Sequence, residues 1–121
     1  MIAQLFGLAL APLYAAIAQV ESDRGATSAN VYQLRHIYID DVNRICSREF
    51  LYEDRYNKAH SEDMMAVYWK YYGRRYQEIT GKVPTYEVLA RIHNGGPDGW
   101  LKDCTLGYWA RVKRVLEGGA E

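Results

Sequence analysis

Apolar positions in this chain fall into five blocks, separated by polar or glycine-bearing stretches. The first, Leu5 to Val20, is broken only by Gly7, Pro12 and Gln19. Proline favours the first turn of a helix, so Pro12 predicts a helix from about Ala11 to Ser22. Leu13, Ile17 and Val20 then lie on one stripe, at spacings of four and three. Asp23 to Asn30 is small and polar and carries Gly25, so it reads as loop. Val31 to Leu34 is a brief extended candidate, and Ile37 to Cys46 has helical spacing. Residues 47–57 are charged and aromatic without a clear period, either a long loop or a short extra helix. Ser61, followed by Glu62 and Asp63, has the form of a helix start, a capping hydroxyl before acids that suit the positive end of the dipole. That helix is predicted to reach Thr80 and stop at Gly81. Its stripe is Met64, Tyr68, Tyr72, Tyr76 and Ile79. Pro84 and Thr85 open a further helix to about His93. Asn94 to Gly99 reads as a tight glycine-rich turn, and Thr105 caps a last helix to about Leu116.

The pattern predicts a mainly helical fold with at most a minimal β-hairpin near residues 24–34. Its 121 residues suit one domain, 1–121, with residues 1–10 as an N-terminal extension. The first block is shorter than the roughly 18 to 20 apolar residues a spanning helix needs, so no stable membrane span is expected. Ala16-Ile17-Ala18 resembles a signal-peptidase site, yet no Lys or Arg precedes Arg24. A buried core helix is therefore the preferred reading, with a cleaved signal as its competitor.

Charge and chemistry narrow the function classes. Fifteen basic and fifteen acidic residues cancel, which argues against a dedicated nucleic-acid binder. Eleven tyrosines and three tryptophans suit either a core with polar tips or a groove that stacks on sugars. Cys46 and Cys104 fit no zinc motif or redox pair, and His36, His60 and His93 stand in no ligand-spaced pair. Neither a metal nor a cofactor is expected.

Glu21 is the leading candidate for chemistry. At a helix C-terminus beside a cleft, apolar neighbours and the negative helix end both favour the protonated carboxyl. A general acid needs that form at neutral pH. By position alone, a solvated glutamate at a helix end is the commoner arrangement.

Four motifs occur in order: Ala18-Gln19-Val20-Glu21-Ser22, Val31-Tyr32-Gln33-Leu34, Ala90-Arg91-Ile92-His93-Asn94-Gly95-Gly96-Pro97, and Tyr108-Trp109. On them the chain resembles the lysozyme-like superfamily, above all the invertebrate-type (destabilase-like) lysozymes and, in outline, the lytic transglycosylases. The resemblance spans roughly residues 11–116. It implies an α+β lysozyme-like fold that cleaves the β-1,4 bond between N-acetylmuramic acid and N-acetylglucosamine. Glu21 matches the catalytic acid. Tyr32 and Gln33 match the strand lining the cleft, and His93, Asn94 and Gly95 match the loop facing Glu21. Each also has a bland reading: His93 as a structural hydrogen-bonder, Gly95 as turn geometry, Tyr108 and Trp109 as core.

The departures leave alternatives open. The family is rich in disulfides, whereas this chain has two cysteines, and Trp100 stands where the family often has one. The loop bearing the second carboxylate is shortened. Counting back from Gln33 places that carboxylate at Asp23, with Asp40 and Asp41 as weaker choices. Asp23 reaches the same bond as Glu21 only if the helix ends by about Ser22. The expected activity is therefore hydrolysis with Glu21 and Asp23. The alternatives are transglycosylation by Glu21 alone, or glycan binding without catalysis. Peptidoglycan or chitooligosaccharide strands are the expected partners, met in an extracellular, periplasmic or phage-delivered setting.

Overall fold

A computed structural model of the chain describes residues 2–27 and 29–119. Two short strands, β1 (Gln4–Leu5) and β2 (Leu8–Ala9), lead into helix α1 (Leu10–Asp23). Helix α2 (His36–Ile45), a single 3-10 turn at Tyr52–Tyr56 and the long helix α3 (Lys58–Thr80) follow. Helix α4 (Tyr86–Gly95), two 3-10 turns (Gly99–Leu101 and Asp103–Thr105) and α5 (Leu106–Leu116) complete it. The mainly helical class expected from the sequence is what the structure shows.

The hairpin, however, lies at residues 4–9 rather than near 24–34. Phe6 (φ 54°) and Gly7 (φ 77°) both adopt positive φ, which closes a two-residue turn and sets Gln4 opposite Ala9 and Leu5 opposite Leu8. Between residues 24 and 34, the described backbone instead closes on itself in local turns. The amide of Ala26 bonds the Glu21 carbonyl at 2.9 Å and that of Asn30 bonds Thr27 at 3.1 Å. With these groups satisfied locally, no strand ladder forms among the described residues there. The hairpin packs closely: Leu5 is buried, and the Tyr86 hydroxyl donates to the Ala9 carbonyl at 2.6 Å.

Helix α1 starts and stops within a residue of its predicted bounds, and its Leu13, Ile17 and Val20 stripe is fully buried. It packs against α4 and α5, while α2 packs against α3. Trp69 of α3 is central. Its indole donates to the Leu89 carbonyl of α4 at 2.8 Å, and Tyr14 of α1 stacks on it at 5.6 Å. The tyrosine surplus serves this core: Tyr14, Tyr32, Tyr38, Tyr68, Tyr72 and Tyr108 are all buried. Tyr14 donates to the Glu62 backbone carbonyl at 2.9 Å and Tyr32 to the Glu62 carboxylate at 2.6 Å, so these two buried rings keep satisfied polar ends.

One predicted helix start and one predicted cap need correction. Helix α3 begins at Lys58, capped by Asn57, whose Oδ1 accepts from the His60 amide at 2.9 Å. Ser61 is buried inside the helix and donates to the Arg55 carbonyl at 3.0 Å. Thr105 does precede α5 but makes no side-chain cap. Its buried hydroxyl lies 2.8 Å from the Gly99 carbonyl and accepts from Arg91 Nε at 2.7 Å. Both hydroxyls are occupied by groups outside the local helix end.

Candidate functional site

The last turn of α1 carries Glu21 to the edge of the core. Its neighbour Val20 is fully buried, and Glu21 itself is 5% exposed. From α5, the Tyr108 hydroxyl donates to Glu21 Oε2 at 2.9 Å. From α4, His93 Nε2 stands 3.7 Å from the same oxygen. Burial raises the Glu21 pKa above the ordinary carboxyl value, against the Tyr108 hydrogen bond and the nearby guanidinium groups of Arg24, Arg111 and Arg35.

Burial acts on His93 in the opposite sense, pushing its imidazole down to about 4. The ring is enclosed edge-on by Tyr38 at 5.8 Å and Trp69 at 6.3 Å. At neutral pH His93 is therefore uncharged and supplies no cation to hold Glu21 ionised. Burial thus favours the protonated form of Glu21, the form in which a carboxyl can act as a general acid.

Glu21 opens onto a cleft of about 710 Å³. Its lining includes Tyr32, Gln33, His93, Asn94 and Gly95, so the cleft brings these five together with Glu21. Asn94 and Gly95 belong to the last turn of α4 rather than to the following turn, which extends the helix past its predicted end. Helices α2 and α3 add Tyr38, Asp41, Arg44 and Tyr68 to the lining, and Ile37 lies 78% exposed at the cleft.

Tyr32 presents a buried ring whose hydroxyl is already engaged by Glu62. Gln33 has φ 51°, a left-handed backbone uncommon outside glycine. Its Nε2 donates to the carbonyls of Glu21 at 3.3 Å and Arg24 at 3.5 Å. It thus ties the loop to the end of α1 while lining the cleft.

Asp23 is exposed and does not line the cleft. Helix α1 continues through Asp23, so the two acids stay two residues apart on one helix and do not face each other. Asp40 and Asp41 both line the cleft. Asp41 accepts from Arg44 Nε at 2.9 Å and from the Tyr72 hydroxyl, so it is held by cation and phenol together.

The sequence reading left out Tyr108, Arg24, Arg35 and Arg44 as site residues. Tyr108 carried a signal, since Tyr108-Trp109 belonged to the ordered motifs, but a tyrosine on an amphipathic helix first suggests core. Its contact with Glu21 spans 87 positions, which no local pattern encodes. Among the described residues, no group of three His, Cys, Asp or Glu side chains is arranged to hold a metal ion. No helix among them is long and apolar enough to cross a membrane.

The sequence is 31% identical over 93 residues to "Lysozyme" of Meretrix lusoria, covering 77% of this chain and 71% of that protein. It is 30% identical over 95 residues to "Invertebrate-type lysozyme 6" of Caenorhabditis elegans, covering 75% and 69%. Against "Lysozyme" of Ostrea edulis the identity is 34% over 91 residues, covering 75% and 62%. No protein-family model matches the chain.

Proposed function

Because the chain belongs to the invertebrate-type lysozymes, a family of glycosidases, we propose that it is a peptidoglycan hydrolase with Glu21 as its general acid. The bond cut is the β-1,4 link from N-acetylmuramic acid to N-acetylglucosamine. One observation carries this reading: a nearly buried carboxyl with a raised pKa opens onto a cleft large enough for several sugar atoms to enter. Glu21 donates its proton to the bridging oxygen as the C1–O bond breaks. Water then bonds to C1 and gives up a proton, which restores the acid. Tyr108 orients the carboxyl, and the neutral His93 adds no positive charge to that of the nearby arginines, so burial still prevails in raising its pKa. The protein works where wall strands are accessible, outside the cytoplasm.

A second reading draws on the position of Asp23. With that carboxylate exposed and off the cleft, Glu21 acts alone, and the substrate's own hydroxyl closes a 1,6-anhydro sugar. The name shared by the relatives favours water as the acceptor. Mass spectrometry of fragments released from purified peptidoglycan separates the two. Reducing-end muropeptides indicate hydrolysis, and fragments lighter by one water indicate transglycosylation. Glu21→Gln keeps the shape and loses the proton, so it should retain the fold and lower the rate by at least about a hundredfold. Unchanged release by this variant rules out Glu21 as the acid.

A further inference from the structure

A second recess of about 320 Å³ is lined by Arg24, Asn94, Cys104, Gly107, Tyr108 and Arg111. Arg24 and Asn94 also line the main cleft, so the two spaces share a wall. Two of the six lining residues are guanidinium cations and none is acidic. In a chain with no net charge, this is a local concentration of positive charge. Resting on the hydrolase reading above, we propose that this recess takes a carboxylate on the lactyl branch of a muramic-acid sugar. It would thereby select acidic wall strands over neutral chitooligosaccharides.

The construction suits an anion. The Arg24 guanidinium lies 5.3 Å from the centroid of the Tyr108 ring, which favours a defined position for it. On α5, Arg111 stands four residues from Gly107 and three from Tyr108, which makes it a helix-surface neighbour of both. Gly107 lies in the first turn of that helix, where the dipole favours negative charge. Nothing stands within 4 Å of where a Cβ would lie at Gly107, so the space is left open. Guanidinium groups grip carboxylates with paired, charge-assisted hydrogen bonds, whereas a neutral sugar offers only hydroxyls and acetamides. Tyr108 bonds Glu21 and also walls the recess, so a strand held at Glu21 brings a neighbouring substituent to the arginines. In peptide-free strands the acid is the lactyl carboxylate itself, and in peptide-bearing strands it belongs to the stem peptide.

Cys104 supplies a local reporter, because it is a free, exposed thiol lining the recess. Cys46 lines neither cavity and serves as the internal reference. Alkylation of both by uncharged iodoacetamide is followed on the full chain and on Glu21→Gln, with binding read in parallel from tryptophan fluorescence. The ligands are chitotetraose, the alternating tetrasaccharide with free lactyl acids, and its peptide-bearing counterpart. The expected result is severalfold protection of Cys104 by one or both acidic strands and none by chitotetraose. Which acidic strand protects identifies the source of the carboxylate. Arg111→Gln, or Arg24→Gln should the first fail to fold, is expected to lower the affinity ratio of acidic to neutral strand about tenfold. Equal protection by chitotetraose, an unchanged ratio, or binding of acidic strands without protection overturns the inference. Protection without cleavage by the wild type keeps the recess and removes the hydrolase reading. Cleavage without protection does the reverse, and no binding of any strand removes both.

Discussion

Glu21 and His93 stand 3.7 Å apart, and burial moves their titrations in opposite directions. The consequences for stability have opposite signs. His93 titrates at about 4 in the fold against 6.5 ordinarily. Its contribution is present above 6.5 and is lost as pH falls from there to about 4, reaching roughly 3 kcal/mol. Glu21 has a raised folded pKa, so its contribution is present at low pH and is lost as pH rises through that value. His93→Gln cannot acquire the charge, and urea melts should show its stability declining less than the wild type's over that acid window. For catalysis, the rate should fall on the alkaline side as Glu21 loses its proton. Tyr108→Phe removes a hydrogen bond that favours the carboxylate, so the alkaline limb of its pH–rate profile should move to higher pH. A limb that stays in place would separate Tyr108 from the titration of the acid. The place of Glu21 at the end of a buried helix was legible in the sequence, because an apolar helix ends there in a recognisable motif. Tyr108 was not, because its role depends on a neighbour 87 positions away.

At the scale of elements, periodicity located α1 and α5 within about a residue, because each buries one stripe against the core. Helix starts were less legible. Ser61 and Asn57 are both good capping residues, and only the packed structure shows that Asn57 caps while Ser61 is buried. Asn57→Ala should therefore cost about 1 kcal/mol in chemical denaturation, through loss of the bond to the His60 amide. A value near zero would mean that α3 is not held at Asn57. The hairpin was placed in the wrong segment for a related reason. Gly7 interrupted an apolar run and looked like a break within it, whereas with Phe6 it forms the turn of β1 and β2.

For the whole molecule, stability rests on packing rather than covalent ties. Both cysteines are free, in contrast to the disulfide-rich pattern of the family that the sequence resembles. Incubation with a reductant should accordingly leave Tm unchanged in a thermal melt, and a marked drop would indicate a disulfide. In its place stands a core of aromatic rings, with Trp69 fully buried and joined to α4. With no net charge, long-range attraction to any charged partner is weak. Charge instead acts at short range, through the arginines around Glu21.

The sequence by itself determined the helical class, the apolar stripes, the family resemblance and the place of Glu21 at the end of the first helix. All of these are carried by residues close together along the chain, where spacing and order encode face and motif. Tertiary structure alone decided which groups surround that carboxyl. It brought α4 and α5 against the end of α1, kept Asp23 on the exposed side of a continuous helix, and set two arginines beside Tyr108. Long-range packing settles such contacts, since a side chain's partner is fixed by how helices dock and not by what precedes it in sequence.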